Sequence, residues 1–353
     1  MSAPVPVFDG HNDVLLRLHL TPSDRPERLF LEGGADGHLD LPRARDGRFV
    51  GGLFAVFPPS PRSIADAGKG MVPGGYDLPL PPALALDDAR ASTVAMVSIL
   101  HRIVRRSNGA VALCRTAGEI RDAIGRGALA TVLHVEGCEA IDTDLRFLDV
   151  LHAAGLRSLG PVWSRHNAFG HGVPFRFPST PDTGPGLTEA GERLVKACNE
   201  LNILVDLSHI TERGFWDVAR LSKAPLVASH SNVHALTPSA RNLTDRQLDA
   251  IRDSDGLVGL NFATCFLRPD GAMRSDTTLD PMIRHLDALI ERLGETRVAF
   301  GSDFDGALIP RAIGTVAGLP ALIKALRAHG YDDALLAKIG TENWLRVLEL
   351  TIG

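Results

Sequence analysis

At 353 residues, 44% hydrophobic and 22% charged, the chain has an ordinary globular composition and is long enough for one large barrel or for two domains. A formal net charge of −5 gives no broad electrostatic reason to bind nucleic acid or an anionic membrane, so a small molecule is the expected partner. Met1-Ser2-Ala3-Pro4-Val5 has neither the basic region nor the apolar core of a secretory signal, and no apolar stretch is long enough for a bilayer, so no membrane contact and a cytoplasmic location are expected.

The first predicted element is the apolar run Val5-Pro6-Val7-Phe8-Asp9-Gly10, which reads as a strand ending on His11-Asn12-Asp13. Residues two apart on a strand point the same way, so His11 and Asp13 project together as an imidazole and a carboxylate, half of a metal site. A second strand is expected over 51–57. The Pro- and Gly-rich segment 58–82 then breaks the rhythm, and the long, weakly polar pattern of 83–106 predicts a helix on the flank of the fold. Thr131-Val132-Leu133-His134-Val135-Glu136-Gly137 ends on a carboxylate, and a fourth strand is read over 155–163. The segment 170–186 that follows is read equally well as a lid over substrate or as a surface excursion.

Helical patterns at 187–201, 211–221, 244–253 and 281–293 alternate with the remaining strands. Of these, Ile203-Leu204-Val205-Asp206-Leu207-Ser208-His209 and Pro225-Leu226-Val227-Ala228-Ser229-His230 end on imidazoles, 256–262 has no obvious terminal ligand, and Arg297-Val298-Ala299-Phe300-Gly301-Ser302-Asp303 ends on a carboxylate. Eight strands alternating with helices, with polar residues at the carboxyl ends of different strands, is the layout of a (β/α)8 TIM-like barrel and its active-site face. Those terminal residues run from 11 to 303, so a single domain over 1–353 is expected, with an inserted loop and flanking helix at about 58–107. Four cysteines, at 114, 138, 198 and 265, form no C-x-x-C pair and read as core-filling thiols.

Zinc-like ions favour imidazole nitrogen and carboxylate oxygen, and a hydrolytic pair of ions needs a shared ligand to hold both close together. His11, Asp13, Glu136, His209 and His230 supply three imidazoles and two carboxylates, enough for two ions if one carboxylate bridges, with Asp303 left for proton transfer. D-x-D spacing alone does not choose between Asp303 and Asp305. Local sequence alone reads Arg241, just after Pro238-Ser239, as a surface residue.

Taken in order, D-G-H-N-D at 9–13, V-E-G at 135–137, D-L-S-H at 206–209, S-H-S at 229–231, A-R-N at 240–242 and G-S-D-F-D-G at 301–306 resemble the membrane (renal) dipeptidase family, peptidase family M19. The similarity continues through 318–349. This resemblance implies a barrel of the metal-dependent amidohydrolase type with two zinc ions bridged by Glu136 and a hydroxide, His11 and Asp13 on one ion, His209 and His230 on the other. It further implies that Asp303 handles protons and that Arg241 holds the substrate's terminal carboxylate. Mammalian members carry a threonine-histidine pair where this chain has Pro161-Val162-Trp163-Ser164-Arg165-His166-Asn167, so Trp163 stands at the position of a substrate-binding histidine. An indole donates one hydrogen bond but carries no charge, which leaves the metal or a shifted neighbour, His166 or His171, to stabilise the tetrahedral intermediate.

The expected function is a dinuclear zinc dipeptidase cleaving small dipeptides with a free C-terminal carboxylate, a D residue at that position included. The alternatives are an amidohydrolase acting on N-acyl amino acids, lactones or another small amide, and a non-catalytic metal-binding barrel. Side-chain preference, β-lactam opening and assembly state, a homodimer included, stay open.

Overall fold

The computed structural model describes residues 4–34, 36–60, 71–72 and 74–353. Within the expected insertion at 58–107, residues 61–70 and 73 therefore lie outside the described residues.

The eight predicted apolar runs all form strands: β1 (Val7–Asn12), β2 (Phe49–Val56), β3 (Leu129–Glu136), β4 (Leu156–Gly160), β5 (Leu204–Val205), β6 (Val227–Ser231), β7 (Leu257–Leu260) and β8 (Val298–Phe300). All pairings between them are parallel, β1 through β5 in sequence and β6 through β8 in sequence. Two junctions close the circle. Leu207 N donates to Val227 O at 2.8 Å between β5 and β6, while Asp303 N donates to His11 O at 3.0 Å and Asp13 N to Phe304 O at 2.8 Å between β8 and β1. The result is a (β/α)8 barrel, and the near-continuous burial of its strands follows from packing on both faces.

The β8–β1 junction is pinned by Asp9, whose carboxylate accepts from Ser302 N at 2.6 Å and Ser302 Oγ at 2.7 Å. Burial pushes this carboxyl up to about 7 against those hydrogen bonds. At Gly301 a Cβ would fall on the Ser229 carbonyl, so β8 approaches β6 only because that position has no side chain.

The predicted helices form because their apolar stripes meet the barrel and their first turns are capped. Glu189–Leu201 begins at Thr188, which accepts from Gly191 N, and buries Leu194, Val195 and Cys198; Glu212–Leu221 begins at Thr211 and buries Phe215 and Val218. Asp245–Asp253 carries a Thr244/Gln247 capping box. The long helix Leu86–Arg106 buries Ala89, Thr93, Met96, Leu100 and Ile103 at three- and four-residue spacing and packs against the helix Val14–Leu20. All four cysteines are buried and free.

Sequence patterning does not reveal the short elements. Val111–Leu113 adds a strand beside the first half of β3, too short for an alternation to register. Met71–Val72, Gly75–Asp77 and Arg176–Phe177 form a small antiparallel sheet in which Tyr76 pairs with Phe177. That sheet joins the first insertion to the segment 170–186, which is anchored on the loop face of the barrel through Val173 N to His209 O at 2.8 Å and Ala240 N to Arg176 O at 3.3 Å. The 170–186 segment is thus part of the site's wall, not a detached surface excursion.

Candidate metal centre

Every predicted ligand sits at or just beyond the carboxyl end of a barrel strand, so parallel pairing alone aims them at one place. His11 lies near the end of β1 with Asp13 two residues on, Glu136 ends β3, His209 follows β5 and His230 lies within β6. The structure gathers them into two sets that share one residue. On one side His11 Nε2 is 3.4 Å from Asp13 Oδ2 and 3.7 Å from Glu136 Oε2. On the other, Glu136 Oε1 is 3.0 Å from His209 Nε2 and 3.4 Å from His230 Nε2, and the two imidazole nitrogens are 3.1 Å apart.

Those spacings fit a metal. Donors bound tetrahedrally at about 2.0–2.1 Å lie roughly 3.3 Å from one another. Both ring nitrogens of His11, Asp13 Oδ1 and Glu136 Oε1 are buried with no hydrogen-bond partner among the described residues, a costly arrangement that cations would relieve.

The electrostatics agree. Burial disfavours the charged form of His11, yet Glu136, Asp13 and Asp303 outweigh it and push the imidazole up to about 10, so the cluster demands positive charge. His209 and His230 are held far below the ordinary range by burial, with Arg241 and His11 adding to it, and so present neutral imidazoles. Burial, reinforced by Asp13 and Asp303 and opposed by His11, holds the Glu136 carboxyl well above its usual range.

The neutral imidazoles are also aimed. Ser164 Oγ lies 2.9 Å from His209 Nδ1 and Ser229 Oγ 2.7 Å from His230 Nδ1. Ser229 gives its proton to Asp206 Oδ2 at 2.5 Å, so its oxygen accepts from His230 Nδ1 and the lone pair falls on Nε2. Asp206 is itself fixed by Ser208 N at 3.0 Å and Ser229 N at 2.7 Å. Below this layer, His134 Nδ1 lies 2.8 Å from Ser158 Oγ, and burial lowers its pKa to about 3.

The structure separates the two aspartates of the D-x-D pair. Asp303 has ligand atoms within 4.8 Å of those of His11 and Asp13, and Asn261 Nδ2 donates to its Oδ2 at 2.9 Å. Burial and Asp13 raise its carboxyl above the usual range against His11 and Asn261. Asp305 points away. It accepts from His38 N at 2.5 Å, donates its own N–H to His38 Nδ1 at 2.9 Å, and pairs with Arg17 Nε at 3.1 Å. Both aspartates, and His209, have positive φ (61°, 68° and 68°), strained backbone of the kind that collects at functional turns.

Gly306 completes that turn. A Cβ there would fall on the carboxylates of Asp13 and Asp303. Gly306→Ala is expected to weaken metal binding by about ten-fold or more, the scale of losing ligand support. Metal titration monitored by calorimetry reads this, and wild-type affinity in the variant would count against the packing role.

Arg241 is buried, contrary to its local-sequence reading. Its Nη2 donates to His230 O at 3.0 Å and its guanidinium stacks 5.4 Å from the Phe266 ring, because Asn242 Nδ2 binds Thr237 O and Phe266 O and folds the loop inward. A small cavity beside Arg241 is lined by Arg241, Ser231, His209 and Val173. Trp163 is half-buried, its ring 5.8 Å from His209 and 4.8 Å from Phe57.

His166 is not brought to the cluster. It is exposed, and its ring lies 4.6 Å from His171, whose Nδ1 is 2.9 Å from Gly186 O. The reason is local: Ser164 turns in toward His209, and Arg165 turns in to pair with Glu139 at 2.9 Å behind Trp163, which leaves His166 facing out. Sequence reasoning missed Asn261, Ser164, Ser229 and Asp206. Asn261 stands immediately after β7 and would have been found had an amide been counted among strand-end residues.

Comparison with known proteins agrees with this geometry. The family model for membrane dipeptidase (peptidase family M19) matches residues 1–351. A crystal structure of a metallo peptidase from Rhodobacter sphaeroides, liganded with a phosphinate mimic of the dipeptide L-Ala-D-Ala, is 55% identical with a TM-score of 0.96, over 99% of this chain and 100% of that one. The uncharacterized protein in the pqqA 5′ region of Klebsiella pneumoniae is 51% identical over 253 residues, 72% of this chain and 93% of its own length. An amidohydrolase from Pseudomonas aeruginosa, 21% identical with a TM-score of 0.75 over 99% of this chain and 97% of that one, shares the fold. No helix among the described residues is long and apolar enough to cross a membrane. With the ordered motifs, the barrel and the family match in agreement, the chain belongs to the membrane dipeptidase family, peptidase family M19, and is a metal-dependent dipeptidase.

Proposed function

We propose that this chain hydrolyses small dipeptides with a free C-terminal carboxylate, a D residue there included, using two zinc ions that share Glu136. The observation that carries the reading is the Glu136 carboxylate, whose Oε2 faces His11 and Asp13 while its Oε1 faces His209 and His230. The Rhodobacter sphaeroides relative, which holds a phosphinate mimic of L-Ala-D-Ala, supports the substrate class. The whole chain acts as one catalytic unit in this reading, supported by a family match over 1–351.

His11 and Asp13 would hold one ion and His209 and His230 the other. When bound, the ions supply an acidified water at neutral pH and polarisation of the scissile carbonyl. Asp303, steadied by Asn261, accepts the attacking water's proton and returns it to the leaving amine, a general base that becomes a general acid. Arg241, buried beside His230, grips the substrate's terminal carboxylate with its planar fork. Trp163 packs against Phe57 and Phe175 and forms the apolar side of the substrate site next to His209.

The carboxylate grip separates a dipeptidase from a broader amidohydrolase. Lysine supplies charge without the fork, so Arg241→Lys is expected to lower kcat/KM on a free dipeptide by about ten-fold or more. The same dipeptide amidated at its C-terminus should be a poor substrate for the wild type and much less sensitive to the substitution. Steady-state kinetics on both forms test this; equal cleavage of the two forms by the wild type would favour the broader amidohydrolase reading.

A further inference from the structure

Tyr76 lies in the middle strand of the small antiparallel sheet, Gly75–Asp77, and pairs with Phe177, on whose ring it stacks at 5.9 Å between centroids. It is buried in a cluster with Phe177, Ala263, Cys265 and Phe266. Phe266 is the ring against which the Arg241 guanidinium stacks. Ser239 and Cys265 lie near enough to the phenol to influence its proton but neither meets it in hydrogen-bonding geometry, and the Arg241 charge acts on it through space.

Two polar atoms in this corner are unmet. Among the described residues neither the Tyr76 hydroxyl nor Arg241 Nε has a hydrogen-bond partner, although both are buried. Leaving such groups unpaired is costly, and each needs an explanation. Both can donate, so what is missing is an acceptor, and an anion with two oxygens answers both. Burial pushes the phenol pKa up, which keeps the proton on oxygen and available for donation.

We propose that Tyr76, carried into the site by the inserted segment, donates a hydrogen bond to the substrate's C-terminal carboxylate alongside Arg241. This rests on the carboxylate role of Arg241 given above and extends it. The insertion is then part of substrate recognition: it brings a donor that no barrel strand supplies, and Gly75–Asp77 is locked to Arg176–Phe177 so that the donor is fixed before substrate arrives. A hydrogen bond from a neutral donor to a buried charge that forms only with substrate acts on binding of the free acid, not on the chemistry of the scissile bond.

The test is Tyr76→Phe, which removes one oxygen and keeps the ring. For a free dipeptide, KM is expected to rise about 10- to 100-fold with kcat nearly kept, and the Kd of a free-acid phosphinate dipeptide analogue, read by calorimetry, should weaken in parallel. The loss on the C-amidated dipeptide should be far smaller. Thermal unfolding of the ligand-free protein supplies a readout that separates recognition from structure. An unmet buried hydroxyl contributes no stability, so the variant's Tm should be no lower than that of the wild type. A fall in Tm, or equal losses on the free and amidated dipeptides, would show the hydroxyl to be structural and overturn the proposal. An unchanged KM and Kd on the free acid, with Arg241→Lys still discriminating the two forms, would remove Tyr76 from the clamp and leave Arg241 in it. Equal cleavage of both forms by the wild type would remove both.

Discussion

Asp303→Asn is expected to lower kcat by about two to four orders of magnitude, the usual scale for losing a positioned acid/base, while folding and metal content stay close to those of the wild type. The asparagine amide keeps the size of the side chain and its hydrogen bond to Asn261, but it cannot accept a proton and return it. Single-turnover kinetics on the metal-loaded protein, with circular dichroism and elemental analysis as controls, measure this. Asp305→Asn is the informative partner. That carboxylate is engaged with Arg17 and the backbone of His38, so its loss should appear in stability and only weakly in kcat. A larger fall in kcat for Asp305→Asn than for Asp303→Asn would reverse the assignment of the two.

Glu136→Gln should have the next largest effect, on metal content first and turnover as a consequence. The glutamine amide offers one acceptor oxygen and, on the opposite side, two donor hydrogens, so it cannot face two cation-binding sets at once. Bound metal at saturation is expected to approach two ions per chain in the wild type and to fall toward one in the variant. The weakened ion should lose at least about 100-fold in affinity, more than is typical for an outer-sphere contact. Elemental analysis after equilibrium dialysis checks both proteins. Two retained ions and full turnover in Glu136→Gln, or one ion at saturation in the wild type, would end the shared-ligand account.

These effects are large because the cluster has no slack. The unmet atoms of His11, Asp13 and Glu136 lie in one buried volume, and the turn that brings Asp303 to them depends on left-handed backbone at 303 and 305 and on the missing side chain at 306. The histidines on the other side are held by Ser164 and by the Ser229–Asp206 pair. A substitution among these groups therefore removes an orienting contact as well as a charge.

What the chain determines by itself is what has a period or a strand end. All eight barrel strands and the five helical patterns were legible, because burial on both faces makes parallel strands continuous apolar runs and one-sided burial gives helices their stripe. His11, Asp13, Glu136, His209, His230 and Asp303 were legible for the same reason: a parallel barrel gathers the residues at its strand ends whatever their separation in sequence. Tertiary structure decided what depends on side-chain direction in irregular segments. Only the folded loop after β6 shows Arg241 turned inward on Phe266, only the Arg165–Glu139 pair turns His166 outward, and the environments of Asp303 and Asp305 separate two aspartates that D-x-D spacing alone does not. Tyr76 belongs to the same class, since its place beside Arg241 depends on pairing between two segments about a hundred residues apart, which no local periodicity encodes.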